Sequence, residues 1–124
     1  MTEELKLFKE AIEKNIAGLI AVCVIDIETG TPYLAYSTTS DFDADIAASY
    51  NLEVVKSKVN AIMALNIEDK LQDIIVNLEH QIHLTDISDE GSYIIYIAAN
   101  SKKTNLALMR AVVKKQKTIL NAVL

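Results

Sequence analysis

The stretch from Tyr93 to Leu120, YIIYIAANSKKTNLALMRAVVKKQKTIL, decides the fold. Tyr93–Ala99 is a near-continuous apolar run and reads as a strand. The polar residues that follow, NSKKTN, read as a loop. Residues 104–121 then read as a helix, with Leu106, Met109, Val112, Val113, Gln116 and Leu120 on one face and Arg110, Lys114 and Lys117 on another. A strand, a short loop and an amphipathic helix form one closing unit, and the rest of the chain must supply the sheet that this unit completes.

Working outward, SDEG at 88–91 is a turn, and Gln81–Ile87 before it is a strand with Ile82 and Leu84 inward. Asp73–Glu79 alternates: Ile74, Val76 and Leu78 point one way, and Asp73, Ile75, Asn77 and Glu79 the other. The turn between these strands, Glu79-His80, lacks the usual Asn-Gly signal, so the hairpin rests on its flanks. Nearer the start, Leu19–Ile27 reads as a strand buried on both faces. DIETGTP at 26–32 is turn chemistry, and Tyr33–Thr39 closes a first hairpin. Residues 2–16 carry Leu5, Phe8, Ile12 and Ile16 at helical spacing behind a capping Thr2. Ser40, Asp41 and Asp43 open a helix running to about Leu65. Its first half is small (Ala44, Ala47, Ala48) and its second strongly apolar (Val54, Val55, Val59, Ile62, Met63).

The order is therefore αββαβββα. Five strands joined mainly by hairpins imply one antiparallel sheet with three helices on its faces, an α+β domain built as an α/β/α sandwich. A length of 124 residues suits one domain, and 51% apolar against 23% charged residues excludes a disordered chain. No apolar run approaches the ~20 residues of a membrane helix. The start, MTEELKLFKE, has no apolar signal region, so a cytoplasmic location is expected. Before residue 101 there are 17 acids and 6 bases; the last 24 residues carry 6 bases and no acid. An acidic body argues against nucleic acid as a partner.

No constellation in the sequence supports catalysis, a cofactor or a metal. One cysteine, Cys23, lies inside LIAVCVI and reads as a small buried hydrophobe rather than a nucleophile. His80 and His83 fall at odd strand spacing, on opposite faces, and read as two surface polar residues rather than a shared metal site. Asp41, Asp43 and Asp45 mimic a calcium loop, but its sixth and twelfth places hold Ile46 and Leu52 instead of Gly and Glu. The glycines are too scattered to cradle a phosphate. The basic residues Lys103, Arg110, Lys114 and Lys117 fall at 0, 7, 11 and 14, one stripe of a helix. They read either as a solvated face or as a docking face for an acidic partner.

The block at 93–120 resembles the Roadblock/dynein light chain family, in its apolar strand ending in small residues and in its helix opening NLALMR. GLIAVCVIDIETGTP at 18–32 resembles that family's first hairpin, and LQDIIVNLEHQIHLTDI at 71–87 its second. The family's glycines are replaced here by Glu79-His80 and by Ala107. The resemblance spans residues 1–124 as a single Roadblock-type domain. It implies a profilin-like sandwich with no enzymatic activity and no cofactor, working as a homodimeric scaffold or regulator of a small Ras-like GTPase. It also implies that the central helix and third strand build the dimer. Surplus apolar residues on that helix agree, placing the interface at Ala47, Val54, Val55 and Ile62, with Ile75 and Asn77 on the strand. The alternative function is a small-molecule sensor of PAS-like or profilin-like build, which would need a roomy pocket with converging polar groups.

Overall fold

A computed structural model describes residues 2–124. In chain order the elements are α1 (Glu3–Asn15), β1 (Leu19–Asp26), β2 (Pro32–Ser37), α2 (Ala44–Ala64), β3 (Asp73–Asn77), β4 (Gln81–Ile87), β5 (Tyr93–Asn100) and α3 (Leu106–Asn121). The sheet order is β2-β1-β5-β4-β3, and every neighbouring pair is antiparallel. The expected α+β sandwich is what forms.

The two central strands explain the layers. β1 and β5 have no exposed residue, so both their faces must be covered. On one face Val22, Val24, Ile95, Ile97 and Ala99 pack with Phe8 and Ile12 of α1 and with Met109 and Val113 of α3. On the other, Cys23, Ile25, Ile94, Tyr96 and Ala98 pack beneath Ala44, Ala48, Leu52 and Val55 of α2. Burying each large aliphatic or aromatic side chain stabilises the fold by about 1.5–3 kcal/mol, so these two cores supply most of the driving force.

The helix starts are built as the side chains require. Thr2 caps α1 through Leu5 N, Asp43 caps α2 through Ile46 N at 3.0 Å, and Asn105 caps α3 through Leu108 N at 2.9 Å. The acidic run at 41–45 is thus a cap, with Asp45 in the first turn against the macrodipole. Gly30 takes φ +75° in the β1–β2 turn, a conformation open to glycine.

Two strands end two residues sooner than the sequence predicts. β2 stops at Ser37 because the Thr38 hydroxyl turns back to the Leu19 carbonyl at 3.0 Å. β3 stops at Asn77, and Leu78 N closes a tight turn on the Gln81 carbonyl.

The connection between them sets up the site. β2 and β3 are the opposite edges of the sheet, so the connection that contains α2 runs over one face from edge to edge. A helix of 21 residues is about 32 Å long. Its buried residues end at Val55, so its last nine residues run past the core.

Candidate functional site: the overhanging face of α2 and the β3 edge

The buried residues of α2 are Ala44, Ala48, Leu52 and Val55, one stripe at helical spacing. After Val55 no residue of α2 is buried. Yet that second half and the loop beyond it are apolar: Val59, Met63, Leu65 and Ile67 all lie exposed, Met63 at 69% and Leu65 at 68%. Toward the start of the helix, Ile46, Tyr50 and Val54 continue an outward apolar stripe. Single exposed apolar residues need no explanation, but a contiguous stripe of this length does.

The β3 edge lies beside it. α2 packs mainly on β1 and β2, leaving an open groove of about 580 Å³ between Tyr50, Val54 and Ala61 of α2 and Leu71 and Ile74 at β3. Val76 and Leu78 add exposed apolar surface, and among the described residues no strand pairs with the outer backbone of β3. An unpaired edge beside an uncovered apolar helix is a surface ready for another chain.

The residues expected at this interface fall into three places. Val54 is on the open surface, while Ala47 and Ile62 are half-buried at its margin. Val55 is corrected: at 1% exposure it belongs to the protomer's own core, since the buried stripe continues one turn past Leu52. Ile75 is also corrected: it packs, half-buried, into the α1–α3 core. Its neighbour Asn77 is exposed and shares that side by alternation. The α2-facing residues of β3 are Ile74 and Val76.

The basic stripe is corrected most. Arg110 donates both Nε and Nη2 to Asp73 at 2.9 Å, a bidentate pair that ties α3 to β3. Lys117 lies 2.7 Å from Asp86 on β4, with its side chain only 13% exposed. Asp73 and Asp86 are cross-strand partners, so the two cations of α3 meet two carboxylates side by side. Burial pushes the Asp86 carboxyl up from its ordinary value, against the opposing pull of Lys117. Lys103 precedes α3 and does not share its helical spacing; its stem packs on Gly18, where an added Cβ would come within 2.8 Å. Of the four, Lys114 alone is an exposed side chain on α3 with no salt bridge.

His83 is also not the surface residue expected. Its ring lies edge-on to Tyr96 and Phe42, half-buried beneath the start of α2. Nδ1 is 3.1 Å from the Tyr96 hydroxyl and Nε2 is 2.7 Å from Gln81 Oε1. With the ring neutral, Tyr96 donates to Nδ1 and Nε2–H donates to Gln81. Burial holds its pKa below the ordinary histidine value. Beside it, Thr85 donates to Asn51 Oδ1 at 3.3 Å, and Asn51 also reaches the Tyr96 hydroxyl. These polar groups converge, as a sensor would need, but they satisfy one another. His80 is exposed, as expected. Cys23 is fully buried, and burial pushes its thiol up to about 12, so it is the inert hydrophobe its neighbours implied.

The architecture is that of a known class. The structure is similar to MglB of Myxococcus xanthus, with TM-score 0.80 and 17% identity over 99% of this chain and 91% of that one. It is similar to a Roadblock/LC7 domain from Streptomyces avermitilis, with TM-score 0.74 and 11% identity over 95% of each chain. The gliding protein MglB of Thermus thermophilus gives 0.73 and 13%, over 94% of this chain and 84% of that one. No protein-family description and no curated protein sequence matches the chain. The chain has the Roadblock fold, as the block at 93–120 implied.

Proposed function

We propose that this protein is a non-enzymatic homodimeric scaffold that regulates a small Ras-like GTPase in the cytoplasm, by activating or by tethering it. One observation carries the dimer: beyond Val55, α2 is apolar yet has no fully buried residue. A second copy related by a two-fold axis lays its α2 on this one and pairs its β3 edge with this β3. Val54, Tyr50, Met63 and Val76 meet in the contact, with Ala47 and Ile62 at its margin. Such an interface is isologous, so each substitution acts twice. Ile75 and Asn77 contribute backbone only.

The GTPase reading is supported by the Roadblock fold and by the family resemblance. No helix among the described residues is long and apolar enough to cross a membrane. The test is co-expression with a Ras-like GTPase encoded beside this gene. A stable complex of two copies of this chain with the GTPase, and an altered rate of GTP hydrolysis or nucleotide exchange, is the expected result. Absence of both for every such GTPase in the genome would overturn the reading.

A further inference from the structure

The other edge of the sheet, β2, is also open, and its chemistry differs from that of β3. Natural sheets guard an open edge with charges, prolines or bulges. Here Pro32 opens the strand, and a register shift between Val24 and Ile25 disturbs its first residues. From Leu34 to Ser37 there is no such guard: no charged residue occurs between Glu28 and Asp41.

The outward groups can be assigned. Thr38 N donates inward to the Ile20 carbonyl at 2.8 Å. By alternation the amides of Ala35 and Ser37 point away from β1, into solvent. Acids flank this neutral edge. Asp26 accepts from the Tyr33 hydroxyl at 3.4 Å, Glu13 accepts from Tyr36 at 2.7 Å, and in the chain Glu28 precedes the strand and Asp41 follows it. One cation, Lys9, lies over the Tyr36 ring.

Self-pairing fits poorly. A second β2 would bring the same acidic flanks, Asp26 and Glu13 among them, against those of this copy. The geometry points to a different occupant: an extended peptide segment with basic residues at both ends, added to the sheet as a strand beside β2. Its backbone would pair with Ala35 and Ser37, and its end charges with the flanking acids. The proposal uses the edge opposite β3 and stands whether or not the protein dimerises there.

The test uses a capped, labelled peptide of alternating valine and threonine with a lysine pair at each end, and reads fluorescence anisotropy. Binding is expected at low salt. It should weaken about tenfold at high salt, as screening shortens the reach of the charges. A similar loss is expected with glutamate ends, and with Ala35→Pro, which removes an outward amide that the fold does not use. Equal binding by a peptide with the same lysines on a polyproline core would overturn the proposal, leaving only charge attraction. Unchanged binding to Ala35→Pro would overturn it too. Should Ala35→Pro fail to fold, N-methylation of the peptide along one edge replaces it: lost binding supports strand addition, and retained binding contradicts it. Sedimentation showing higher assemblies that Ala35→Pro dissolves, with no peptide binding, would assign the edge to a second copy instead.

Discussion

Lys117 and His83 show how far a single residue's role depends on what the fold places opposite it. In sequence Lys117 is one cation in a basic stretch; in the structure it neutralises Asp86 in a half-dry corner. Removing one partner of such a pair costs about 3 kcal/mol, because the other charge is left stranded. Lys117→Met should therefore lower stability by about that amount at pH 7. The Asp86 pKa is already raised, and without Lys117 it rises further. The deficit should shrink as the pH falls through that raised pKa and the carboxyl takes up a proton. Urea melts at pH 7 and pH 5 check this; an unchanged melt at pH 7 would mean the basic stripe is only a solvated face. His83 acts with the opposite sign. Its depressed pKa means the fold prefers the neutral ring, so its contribution is present above about 6.5 and is lost as pH falls through the depressed value. His83→Gln should flatten this part of the acid dependence relative to wild type. A parallel pH profile for the two would contradict the buried pairing with Tyr96.

At the scale of elements, β3 separates what the sequence discloses from what it withholds. The alternation in DIIVN correctly divides Ile74 and Val76 from Asp73 and Ile75. It says nothing of which set faces α2, because both layers accept an isoleucine. Ile75 therefore read as surface when it packs under α3. Ile75→Lys should cost the protomer about 1–2 kcal/mol in a melt, through lost burial and a charge beside the core. Val76→Lys should leave protomer melting within about 0.5 kcal/mol and weaken self-association instead. The reverse pattern would mean the strand faces are exchanged. The helices and the two central strands were legible because apolar runs and caps are local signals. The ion pairs of α3 were not, since Arg110 and Asp73 stand 37 residues apart. His83 was missed for a related reason: strand alternation assigns a face, but the cover over that face is a helix from another part of the chain.

For the whole molecule, the decisive feature is a helix that runs past the core it covers. The 21-residue α2 stops burying side chains at Val55, and the surplus carries Val59, Met63 and Leu65 into solvent. In a lone protomer that surplus stabilises nothing and invites aggregation. In a dimer it becomes shared core, and the β3 edges close. Sedimentation velocity of the wild type beside Val54→Lys, at micromolar concentration, tests this most directly. Wild type should sediment with a mass near twice 13.7 kDa, and Val54→Lys as a folded species near 13.7 kDa. A wild-type protein that stays at 13.7 kDa across that range, or a Val54→Lys variant as dimeric as the parent, would contradict the assignment of α2 and β3 as the interface.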